Sequence, residues 1–134
     1  MAAEMISAGF DFSFAPVLDI NIGLSKVIGE RAFGSDAAQV AALANAFMLG
    51  MHEAGMATTG KHFPGHGSVG ADSHLELPVD DRSLDEIRSK DLAAFVACVD
   101  SLDAVMPAHV IYPQVDPDCA GFSTYWLQDI LRGE

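Results

Sequence analysis

The chain is short of basic residues: seven Lys and Arg stand against nineteen Asp and Glu, for a formal net charge of −12. Nucleic acid and anionic membrane surfaces need a basic face to dock on, so neither is an expected partner. Cysteine is scarce too. Cys98 and Cys119 form no C-x-x-C pair and no disulfide framework. Cys98 lies in an apolar helical run and reads as a small core residue. No apolar run approaches the length of a membrane span. Residues 1–5 lack a basic segment leading into an apolar stretch, so no export signal is expected and the cytoplasm is the simpler location. Internal repeats and low-complexity linkers are missing as well. What remains is 134 residues, half of them hydrophobic, which is enough for one packed domain and excludes general disorder.

The pattern alternates short apolar stretches with longer amphipathic ones. Residues 10–18 (FDFSFAPVL) read as a strand that ends near Pro16, followed by a Gly-rich polar loop over 19–35. Asp36 and Gln39 form a capping-box pattern at the start of a helix in which Val40, Leu43, Phe47 and Met51 recur at helical spacing. Gly55 is a natural stop. Residues 56–62 (MATTGKH) are the next strand, and 63–78 a long loop. Ser83 and Glu86 make a second capping box, opening a helix with Ile87, Asp91, Ala94, Cys98 and Leu102 along one row. Residues 104–107 (AVMP) are a third strand, 109–122 a loop, and Ser123 the cap of a last helix. Strand–loop–helix repeated in this way predicts an α/β fold with a parallel sheet, its long loops at the carboxyl ends of the strands where α/β proteins place their sites. Periodicity alone does not separate an open sheet from a closed barrel. Three strands are too few for either, so the chain reads as a slice of a larger domain.

Residues 61–74 (KHFPGHGSVGADSH) gather one Lys, three His and one Asp into a glycine-rich loop. Asp72 and His74 are two apart, so in extended backbone they face one side. The carboxylate can then fix the imidazole tautomer and raise its pKa, which suits a group that donates and later accepts a proton. A surface Asp-Ser-His turn with no role is an equal alternative on spacing alone. Lys61 and His62, at the end of a strand, could donate to sugar hydroxyls or simply be satisfied locally. Arg31, in IGERAFG, is a forked donor for hydroxyls or a carboxylate, unless it pairs with Glu30 or Asp36. Asp19 could face the same mouth or cap a turn, and His109 could line the floor of a site or be a buried core histidine. His62 and His66 have a helical metal-ligand spacing, but Pro64 and Gly65 between them argue against a helix, and no H-E-x-x-H occurs. No metal site is expected.

The segment 61–74 resembles the signature of bacterial β-N-acetylhexosaminidases of glycoside hydrolase family 3. The flanks DFSFAPVLDI (11–20), IGERAF (28–33), GMHEAG (50–55) and MPAHVIY (106–112) are similar to that family in the same order. The resemblance implies part of a (β/α)8 TIM barrel, with only the middle βα units present, residues 1–134 being a partial N-terminal domain. It implies retaining hydrolysis that removes terminal N-acetylglucosamine from peptidoglycan fragments (muropeptides) during cell-wall recycling in the cytoplasm, through a covalent glycosyl-enzyme. On it, His74 is the general acid/base, Asp72 its orienting partner, and Arg31, Lys61 and His62 bind the amino sugar. No cofactor is implied, and the full-length enzyme is expected to be a monomer. The family nucleophile is an Asp in a Ser-Asp-Asp segment that does not occur here; Asp80-Asp81-Arg82 is a poor substitute. The chain is therefore expected to be inactive alone and to aggregate or pack loosely when isolated. A phosphorylase of the same family, a metal-dependent hydrolase and a non-catalytic sugar-binding module are the alternatives.

Overall fold

The computed structural model describes residues 1–71 and 77–133. A short helix α1 (Ala2–Ser7) leads into an extended stretch, a 3-10 turn at Gly29–Arg31, and the long helix α2 (Ala37–Glu53). β1 (Thr59–Phe63) follows. After the 64–79 connection, α3 (Leu84–Ile87), a π-helical stretch (Arg88–Leu92) and α4 (Ala93–Val96) run on in sequence. β2 (Ala104–Pro107), β3 (Ile111–Tyr112), β4 (Asp116–Cys119) and a π-helical segment (Tyr125–Ile130) complete the chain.

β1 and β2 pair in parallel, Thr59 opposite Ala104 and Lys61 opposite Met106, which is the crossover arrangement that the alternating pattern predicts. The 10–18 stretch differs from its expected form. It lies parallel to the 57–61 segment through single bridges, Phe12 to Ala57 and Val17 to Lys61, and is not a continuous strand. Its main chain still donates and accepts, with Ser13 N–H to Ala57 O at 3.0 Å and Leu18 N–H to Lys61 O at 2.6 Å. Pro16 has no N–H to contribute, which breaks the ladder. The 109–122 region is also more than a loop: β3 and β4 form a small antiparallel pair within it.

The helices begin as their caps predict. Asp36 Oδ1 accepts from Gln39 N–H at 2.9 Å, and the Ser83–Glu86 box closes in both directions. Gly55, at φ +81°, follows the C-cap of α2. Between the helices and β1/β2 lies one core in which Leu18, Val40, Met48, Phe63, Ile87, Phe95, Val110, Tyr112 and Trp126 are all buried. The Phe63 ring meets Phe95 and Trp126 edge-on at centroid distances of 5.6 and 6.1 Å, and Tyr112 meets Trp126 at 5.2 Å. Aromatic burial of this kind stabilises by about 1.5–3 kcal/mol per side chain, and it fixes β1 against the helical layer. The end of β1 is thereby a rigid base for the residues that follow it.

Candidate active site

The carboxyl ends of β1 and β2 open onto a cavity of about 390 Å³, lined by Phe14, Val27, Ile28, Arg31, Lys61, His62, His66, Met106, Pro107 and His109. That size suits a monosaccharide-scale ligand. Three segments far apart in sequence meet here, and each is placed for a local reason.

Arg31 arrives on the 3-10 turn Gly29–Arg31. Asn21 holds this turn from beneath, its Nδ2 donating to Gly29 O at 3.1 Å and its main-chain N–H to Gly34 O at 2.9 Å. Arg31 Nε donates to Val27 O at 2.9 Å, which sets the direction of the guanidinium. The surface pairing of Arg31 with Glu30 or Asp36 is not the arrangement found: Arg31 lines the cavity instead. Lys61 and His62 occupy the second half of β1. Burial pushes the Lys61 ammonium below its ordinary range, the nearby Arg31 charge adds to that, and Asp19 opposes both. Two cations are thus held close enough to feel each other at one cavity of an acidic protein.

Asp19 organises the site from below. It is completely buried. Its Oδ2 accepts from His62 Nδ1 at 2.7 Å, and its Oδ1 accepts from the main-chain N–H of His66 at 2.7 Å and of His62 at 3.3 Å. It lies beneath the mouth rather than in it, and acts on the site by holding His62 and His66, which line the cavity. With the Nδ1 proton committed to a carboxylate, Nε2 is the ring atom left for a ligand. The signal for Asp19 was its position at the carboxyl end of an apolar stretch, one residue past Leu18.

His66 has a place that its metal-ligand spacing did not suggest. It is 2% exposed, its ring edge lies 5.9 Å from that of His62, and neither ring nitrogen has a hydrogen-bond partner among the described residues. Burial lowers its pKa, with the Asp19 charge partly opposing. The backbone here is strand followed by turn, as Pro64 and Gly65 require. Among the described residues no three His, Cys, Asp or Glu side chains gather to hold a metal ion. His109 lines the cavity from the end of β2 but is exposed, so of its two readings the core histidine is the one that fails. Gly67 presses so closely on Ile20 O that no side chain fits between them, which seats the 64–71 segment against the 19–21 segment.

Asp72 and His74, the pair assigned to proton transfer, lie outside the described residues. A second cavity of about 310 Å³, between β1/β2 and α4, is lined mainly by Phe63, Leu92, Phe95, Val96 and Leu102; it is apolar and lacks the convergent donors of the first.

Comparison with known proteins returns one consistent picture. The family profile for the glycosyl hydrolase family 3 N terminal domain matches residues 1–134. A β-hexosaminidase of Idiomarina loihiensis is 60% identical over 134 residues, covering all of this chain and 40% of that protein. A β-hexosaminidase of Pseudomonas aeruginosa is 61% identical with the same coverage. The crystal structure of NagZ from Neisseria gonorrhoeae in complex with N-trifluoroacetyl-D-glucosamine superposes with a TM-score of 0.94 at 53% identity, over 98% of this chain and 39% of that one. The chain thus spans about 40% of the length of the curated relatives it matches.

Proposed function

The chain belongs to glycosyl hydrolase family 3, as N-terminal-domain sequence with the α/β architecture of part of a TIM barrel, and from that premise we propose that it supplies the amino-sugar site and the proton-transfer pair of a β-N-acetylhexosaminidase. The observation that carries this reading is the convergence of Arg31, Lys61 and His62 on one cavity at the strand ends, with His62 fixed by the buried Asp19. An N-acetylglucosamine unit offers several hydroxyls and one amide. Arg31 and Lys61 supply donors only, and His62, its Nδ1–H spent on Asp19, turns Nε2 to the ligand. Hydroxyls, each of which both gives and takes a hydrogen bond, suit such a set.

In this reading His74 gives its proton to the leaving oxygen as the glycosidic bond breaks, then removes one from the incoming water, while Asp72 holds its tautomer and favours its charged form. The nucleophile comes from outside these 134 residues, since no Ser-Asp-Asp occurs in them. Relatives named β-hexosaminidases and the N-trifluoroacetyl-D-glucosamine complex of the N. gonorrhoeae protein support an amino-sugar substrate. Muropeptides and a cytoplasmic location are the finer part of the proposal. Among the described residues no helix is long and apolar enough to cross a membrane.

The test uses the chain completed to its relatives' length, with an aryl N-acetylglucosaminide as substrate. His74→Ala is expected to lower turnover by about 10²–10⁴-fold. A loss smaller than tenfold would remove His74 from the role, and release of sugar 1-phosphate on adding inorganic phosphate would redirect the reading to phosphorolysis.

A further inference from the structure

The 64–79 connection starts and finishes against a single buried ion cluster. At its exit, Arg82 grips Asp80 with Nε at 2.9 and 3.1 Å from the two carboxylate oxygens and Nη2 at 2.7 Å from Oδ2. Its Nη1 reaches Asp91 Oδ2 at 2.7 Å. Asp80 and Asp91 are 4% and 2% exposed. Asp91 sits on the π-helical stretch Arg88–Leu92, a local irregularity of the kind that re-aims a side chain at functional sites. Its other oxygen, Oδ1, has no hydrogen-bond partner among the described residues and lies against Gly65, where a Cβ would stand 2.5 Å from it. Gly65, at the entry, has φ +153°, and its carbonyl accepts from the buried Tyr112 Oη at 2.5 Å. The neighbour of Tyr112, Ile111, holds the exit: Ile111 N–H donates to Pro78 O at 3.0 Å, and Ile111 O accepts from Asp80 N–H at 2.9 Å. Asp91 and the β3 strand therefore each touch both ends of the connection.

Stability alone does not account for this cluster. Two buried carboxylates share one guanidinium, and buried ion networks are frequently matched or beaten by apolar residues of equal volume. Burial pushes the Asp91 carboxyl up, against the pull of Arg82. What the fork of an arginine offers over an apolar contact is a fixed distance and angle.

We propose that Arg82, with Asp80, Asp91 and Tyr112, is a positioning residue for proton transfer, fixing the two ends of the segment whose sequence carries Asp72 and His74. The proposal rests on the assignment of that pair made above. A displacement of about 1 Å at a reacting group costs on the order of 10²-fold in rate, so a brace at both ends of its segment bears directly on turnover.

The experiment measures kcat, KM, the pH profile of kcat and the thermal midpoint in the chain completed to its relatives' length. Arg82→Lys keeps the charge and loses the fork; Tyr112→Phe removes only the Oη contact to Gly65. Arg82→Lys is expected to lower kcat at least tenfold with KM within about threefold, because Arg31, Lys61 and His62 hold the sugar independently. The basic limb of the profile should move to lower pH if the variant weakens the support of the Asp72 carboxylate for a charged His74. Tyr112→Phe should do the same more weakly, about threefold in kcat. Met48→Ala, a core truncation in α2, is the stability control and should leave kcat within about twofold below its melting temperature. Retained kcat in both Arg82→Lys and Tyr112→Phe, KM rising in step with the fall in kcat, or an equal loss in Met48→Ala would overturn the proposal. If His74→Ala is crippled while the Arg82 and Tyr112 variants are active, the brace alone is refuted; if His74→Ala is active, the assignment of the pair falls and the brace with it.

Discussion

Removing the Asp19 carboxylate is the most informative single perturbation of the site. The side chain is fully buried and receives three N–H groups, two of them at 2.7 Å. Asp19→Ala leaves the His62 ring N–H and the main-chain N–H groups of His62 and His66 without their acceptor. Each orphaned buried donor costs about 1–3 kcal/mol, reduced where water reaches it. Breaking a buried charged contact by deleting one side typically costs about 3–5 kcal/mol in total, which is the expected loss here. In the chain completed to its relatives' length, at roughly 2 °C per kcal/mol, the thermal midpoint should fall by about 6–10 °C. Asp19→Asn keeps the shape and one carbonyl oxygen, so the His66 N–H contact can persist and the loss should be about 1–3 kcal/mol. Its amide NH2, however, meets the His62 ring as a donor. The imidazole must then accept at Nδ1 and carry its proton on Nε2, which reverses what it offers the cavity. Urea unfolding gives the stability difference, and nitrogen chemical shifts of the His62 ring give the tautomer. An Asp19→Ala variant within about 1 kcal/mol of the parent, or an Asn variant with an unchanged tautomer, would refute the view that Asp19 sets the site.

Two pH-dependent predictions follow from burial at the same cavity. Lys61 has a folded-state pKa below its ordinary 10.5, so the folded protein bears a cost for its charge at neutral pH that disappears as pH rises to 10.5. Lys61→Met should therefore raise stability at pH 7, weaken sugar binding, and show no stability gain above that range; a variant less stable than the parent at pH 7 would contradict this. His66 has a folded pKa below 6.5, so the unfolded chain takes up the proton first and stability falls as pH drops below 6.5 toward the folded value. His66→Leu should flatten that part of a urea-midpoint profile, and parallel profiles for variant and parent would count against the burial of the neutral ring.

The sequence by itself determined the local decisions, because they depend on neighbours a few residues apart. The Ser83–Glu86 box, the Asp36 cap, the Gly55 stop and the strands near 56–62 and at 104–107 are found as their spacing implies. Long-range decisions were made by the fold. The sequence could not choose between a capping role and a site role for Asp19, because its partners lie 43 and 47 positions away and meet it only through the parallel approach of residues 17 and 61. It read Asp91 as one more position on a helical row, whereas the π turn and the Arg82 fork turn it toward Gly65. It read 109–122 as a loop, because a two-residue strand such as Ile111–Tyr112 has too few residues to show an alternating pattern. Capping and periodicity are written in the chain within one or two turns; the placement of a buried charge depends on which segments the core brings together, and only tertiary packing decides that.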